Sequence, residues 1–149
     1  MSSFWSKWMI GLSVLVMLMG ICFAIVFPYF MPQALAPFFT EITGMPLSAI
    51  TEGEVQFHNL LSAVIGGTMF GWGLLLALLG YRLLKKPEDW LWSAVTFSVV
   101  GWYCLDTFAS VLAGSMLNVI LNMSILLLAT PPILASRKAV ISGFKKISE

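Results

Sequence analysis

The 149-residue chain is poor in charge: Asp, Glu, Lys and Arg make up 10% of it, against 59% hydrophobic residues and a mean hydropathy of +0.93. Soluble domains carry about 25% charged residues, so this composition predicts an integral membrane protein. Cysteine is scarce as well. Cys22 and Cys104 both lie inside apolar segments, where a small packing residue is the expected role, ahead of a disulfide or a metal ligand. Histidine occurs once, at His58. The glycines do not form a phosphate-cradling loop, and no turn offers a nucleophile for Ser-His-Asp hydrolysis. No basic stripe of the kind that binds nucleic acid is present.

The sequence does contain four apolar stretches, each near the length of about 20 residues that a helix needs to cross about 30 Å of hydrocarbon. The expected fold is a single all-α membrane domain, a four-helix bundle with spans over 9–27, 54–81, 90–113 and 116–134. Residues 28–53 form a connection and 135–149 a tail. The first span follows an aromatic and basic start, Trp5, Lys7 and Trp8. Its apolar run is longer than that of a signal peptide, and the small-residue site Ala34-Leu35-Ala36 is followed by Pro37. It therefore reads as a retained helix that ends at Pro28. The connection carries Pro32, Pro37 and Pro46 among aromatics, too broken to span. It reads as an interfacial segment with a short helix around Gln33 to Thr40. Thr51 and Glu54 have the spacing of a capping box and open the second helix.

Charge fixes an expected orientation. All eight Lys and Arg lie at the N-terminus, in the turn of Arg82, Lys85, Lys86, Pro87, Glu88 and Asp89, or in the tail with Arg137, Lys138, Lys145 and Lys146. Four spans put these three regions on one side, so the positive-inside rule places both termini in the cytoplasm. Glu41, Glu52 and Glu54 then mark the outer side. The fourth helix reads as running from Met116 to about Pro132, with Pro131 and Pro132 near its exit, and the tail as a short amphipathic surface helix.

Polar residues at lipid depth are few and fall in one layer. At 1.5 Å rise per residue, Asp106 lies roughly 8 Å and His58 roughly 14 Å outward of the midplane, with Asn122 roughly 6 Å and Asn118 roughly 12 Å out. Within each helix the faces agree: Glu54 with His58, Trp102 with Asp106 and Ser110, Ser115 with Asn118 and Asn122. An aspartate at this depth is costly, so it should turn inward and find donors. The expected ligand-binding set is His58, Trp102, Asp106, Asn118 and Asn122. Ala63, Gly67 and Gly71 repeat every four residues and should form a helix contact, to the same chain or to another copy.

Three chemistries compete for these residues. Glu54, His58 and Asp106 could hold a metal, but a lone Glu-His pair is a weak ligand motif, and neither metal nor cofactor is expected. His58 with Asp106 or Glu54 could serve as acid and base for a membrane enzyme acting on a lipid-soluble substrate. An oligomeric transporter or channel needs a polar path, whereas Leu74–Leu79, Val95–Val100 and Leu126–Leu128 make the inner half apolar. The leading expectation is non-enzymatic: binding of a small lipid-like ligand or a partner helix at the outer polar layer, as an oligomer or accessory subunit of a larger membrane complex.

The layout of a first span, a Pro-containing outer connection and a Glu-bearing entry (Glu54) into a Gly-rich helix (Gly66, Gly67, Gly71, Gly73) resembles small four-helix bacterial membrane proteins of unknown function. The resemblance is one of layout. It implies a multi-pass protein of the cell (inner) membrane and carries no activity or functional residue with it.

Overall fold

The computed structural model describes residues 3–86 and 88–147, with side chains except at 3, 6, 84 and 138–147. Pro87 of the expected polar turn, and the side chains of Lys138, Lys145 and Lys146, lie outside the description. The described residues are helical and contain no strand. The order is α1 (Ser3–Ile21), a π-helical turn (Cys22–Val26), α2 (Phe27–Tyr29), α3 (Ala36–Thr43), α4 (Glu52–Lys85), α5 (Asp89–Leu112) and α6 (Met116–Ile147).

Four stretches are long and apolar enough to cross a membrane: Lys7–Tyr29, Glu52–Leu83, Asp89–Leu112 and Met116–Arg137. Their outward faces stay apolar. Phe97, Leu105 and Leu112 are 72%, 73% and 73% exposed, a surface that water does not tolerate on this scale and lipid does. The best-packed core gathers Met9, Leu83, Leu91, Val95, Val99, Ala129 and Ile133. It lies toward the end of the bundle that holds the α4–α5 turn.

Of two proline expectations one is corrected. The first helix ends one residue past Pro28. The π turn before it shifts the hydrogen bonds, the Phe27 N–H reaching Cys22 O, and helix continues to Tyr29. Phe30 and Met31 then both donate to Val26 O at 2.9 Å, which ends the run. Pro131 and Pro132, by contrast, do not end the fourth helix, which runs unbroken to Ile147. Pro132 has no N–H for the Leu128 carbonyl, and the Trp8 indole N–H donates to that carbonyl instead, at 2.9 Å. A neighbouring helix thus supplies what the proline removed, as membrane helices require.

The capping box forms at α4: the Glu54 N–H meets Thr51 Oγ1 at 3.4 Å, and the Thr51 N–H meets Glu54 Oε2 at 2.7 Å. The connection folds as a 3-10 turn (Pro32–Leu35) running into α3, which closes on Gly44 at φ 70°. Positive φ suits glycine at a helix C-terminus.

α1 and α4 pack antiparallel along a glycine seam. A Cβ added at Gly66 would lie 2.3 Å from Ala24 N and 2.4 Å from Gly20 O, and one at Gly73 would lie 2.9 Å from Met17 N. Gly80 approaches Met9. Within the chain, then, the contact runs through Gly66, Gly73 and Gly80, while Gly67 and Gly71 have nothing within 4 Å. Ala63 is half-buried. The reason is angular. Seven-residue steps turn only about −20° around a helix and hold one face, whereas four-residue steps drift by about 40° each.

Candidate functional site

The polar layer assembles between α5 and α6 at the end opposite the core. Asp106 is half-buried on α5, and both of its oxygens accept hydrogen bonds. Trp102 Nε1–H donates to Oδ2 at 3.1 Å; Asn118 Nδ2 on α6 donates to Oδ1 at 3.0 Å. Ser110 Oγ lies 3.3 Å from Oδ1, donates to the Asp106 carbonyl at 2.7 Å, and accepts from Asn118 Nδ2 at 2.7 Å. The i, i+4, i+8 spacing of Trp102, Asp106 and Ser110 puts all three on one face, and Asn118 reaches them because Gly114, at φ 77°, turns the chain tightly back. Asn122 is almost fully buried and points Nδ2 at Thr107 Oγ1, 3.5 Å away.

One partner escaped the sequence. Glu41, on α3, caps the start of α6: it accepts from Ser115 Oγ at 2.9 Å and from the Leu117 N–H at 3.0 Å. Ser115 Oγ in turn accepts from the Asn118 N–H at 3.4 Å. An acidic side chain at exposed helix N–H groups is favoured by both hydrogen bonding and the helix dipole. A contact over 74 residues leaves no local pattern to read. The result is a polar chain from Glu41 through Ser115, Asn118 and Asp106 to Trp102. Trp102 stacks on Trp72 of α4 with centroids 5.3 Å apart, and the Trp72 N–H donates to Ser98 Oγ at 2.7 Å.

His58 does not join this layer. It is half-buried on α4, and among the described residues it makes no hydrogen bond or ion pair with Asp106, Glu54 or any other group. Glu54 is engaged by its capping box. The acid–base pair expected of an enzyme is therefore not assembled, and among the described residues no group of three His, Cys, Asp or Glu comes together. Cys22 and Cys104 are free thiols.

Both Asp106 oxygens are thus filled by protein donors. A cavity of about 30 Å³ lies elsewhere, among α1, α4, α5 and α6, walled by Met9, Val16, Trp72, Val99, Ala129 and Pro132. It is apolar and has room for about one or two waters, far less than a lipid needs. Against known protein families, curated proteins and solved structures, the chain has no significant match.

Proposed function

We propose that this is a non-catalytic, multi-pass protein of the bacterial inner membrane that acts by binding a partner helix, first of all from a second copy of itself, at the level of Asp106. The carrying observation is the open pair Gly67 and Gly71. Gly66, Gly73 and Gly80 of α4 are covered by the first span; Gly67 and Gly71, in the middle of the helix, have free space over them. Bare glycine in a membrane helix lets another backbone approach closely, where dispersion and weak hydrogen bonds can act. The stacking of Trp72 on Trp102 sets the register of the antiparallel helices, and four residues further on Asp106 stands level with Thr68, between the two glycines. A partner helix fits this site better than a small lipid-like ligand, because the Asp106 carboxylate already takes up the Trp102 and Asn118 N–H groups. The positive-inside rule supports a cytoplasmic placement of both termini.

The test uses the full chain in native-like bilayers. Gly67→Leu and Gly71→Leu fill the open face without touching the fold, so they should abolish association, read by native mass spectrometry or single-molecule photobleaching, at unchanged thermal stability. A wild-type protein that is monomeric and partner-free in lipid overturns the proposal. So does association that survives both substitutions.

A further inference from the structure

The end of the bundle opposite Asp106 carries a strongly biased charge. Among the described side chains it holds Lys7, Arg82, Lys85, Lys86 and Arg137 with Glu88 and Asp89, for a net charge of +3 from five against two. The carboxylates with described side chains are already engaged. Glu88 meets Lys86 at 3.4 Å and Arg82 at 3.5 Å and accepts from the Trp90 indole at 2.6 Å. Asp89 is paired with Arg137.

Among the described side chains two ammonium groups remain, Lys7 on α1 and Lys85 on α4. Among the described residues, neither has a carboxylate within ion-pair distance. Met9 packs on Gly80, and in antiparallel register this brings Lys7 level with Arg82, so Lys7 and Lys85 belong to one patch across the α1–α4 seam. The patch sits at a definite depth. Lys85 lies over the Tyr81 ring at 4.6 Å and Arg137 over the Trp92 ring at 4.6 Å, and Trp5, Trp8 and Trp90 belong to the same end. Tryptophan and tyrosine settle at the headgroup level of a bilayer. Arg82 stays 57% exposed while touching Glu88, and its guanidinium has further N–H donors to offer.

We propose that this patch binds the phosphodiester headgroups of anionic phospholipids, with Lys7 and Lys85 as the primary contacts and Arg82 as the orienting donor. Lys7 and Lys85, without a counterion among the described residues, and Lys85 held over a ring at headgroup depth, meet there one abundant class of anion, the lipid phosphate. Electrostatic attraction of this kind gains roughly fivefold per cation near the surface and fades as salt shortens the screening length to about 3 Å at 1 M.

The experiment places the whole protein in phosphatidylcholine nanodiscs holding a minor fraction of spin-labelled phosphatidylglycerol or, in parallel, spin-labelled phosphatidylcholine. The expected result is a several-fold preference for the phosphatidylglycerol label at low salt. That preference should fall toward one in 1 M NaCl, and at low salt in the Lys7→Gln, Lys85→Gln double variant. Equal association of the two labels at low salt overturns the proposal, as does a preference that the double variant retains. If the double variant fails to fold, the salt series on the natural chain decides. Loss of the preference on replacing chloride by inorganic phosphate at matched ionic strength also overturns it, since the patch would then be a free-phosphate site.

Discussion

Gly66 and Gly67 are neighbours in sequence and opposites in space, so one methyl group placed at each separates the packed face of α4 from the open one. At Gly66 the new Cβ would meet Ala24 N at 2.3 Å and Gly20 O at 2.4 Å, both backbone atoms that no rotamer change can move. Ordinary contact starts at 3.4 Å, so α1 and α4 must part by the difference, 3.4 less 2.3, or about 1 Å. Overpacking of this kind costs about 1–3 kcal/mol, and two blocking backbone groups argue for the upper end. The parting also loosens Gly73 against Met17 along the same seam. At Gly67 the methyl meets nothing within 4 Å, and alanine is the better helix former, so Gly67→Ala should be neutral or stabilising by up to about 1 kcal/mol. Reversible unfolding in mixed micelles, followed by tryptophan fluorescence and circular dichroism, reads both. Equal effects, or a tolerated Gly66→Ala, would mean that α1 and α4 do not meet at Gly20 and Gly66.

Three further outcomes are expected. Asp106→Ala leaves Asn118 and Trp102 without their acceptor and should cost about 1–3 kcal/mol in the same unfolding assay; a silent substitution would show that the α5–α6 tie carries no stability. Trp8→Phe strands the Leu128 carbonyl in lipid and should lower stability by about 1 kcal/mol. Pro132→Ala should erase that loss, because residue 132 then donates to Leu128 itself; additive effects of the two changes would refute the coupling. For Glu88, the Trp90 indole hydrogen bond, with Lys86 and Arg82 beside it, holds the carboxyl below its ordinary range. A lowered folded-state pKa stabilises above the unfolded value, and that stabilisation is lost as pH falls through the folded one. Carbon-detected NMR should find Glu88 titrating below a model carboxyl, and Trp90→Phe should move it upward.

Much of the architecture was legible in the chain. Apolar runs of spanning length, interrupted at residues 28–53, 82–89 and 114–115, suffice to read four helices long enough to cross a membrane, because lipid forces a chain to satisfy its backbone within each crossing segment. The capping box at Thr51 and Glu54 was legible for a similar reason: both partners lie within one turn. The shared face of Trp102, Asp106 and Ser110 follows from helical periodicity alone.

What the sequence could not convey is which surface meets which. Glu41 caps α6 across 74 residues, and Trp8 serves a carbonyl 120 residues away, so the helix that Pro132 should have ended continues. Gly67 and Gly71 fit a contact motif as well as Gly66 and Gly73 do, yet only the latter face α1. His58 and Asp106 read as one outer layer, yet with Asp106 level with Thr68 the histidine stands about 15 Å further along α4. Depth and periodicity are properties of one helix and are written in its order of residues; the rotation of each helix about its axis is set by close packing against the others, and only the folded bundle decides it.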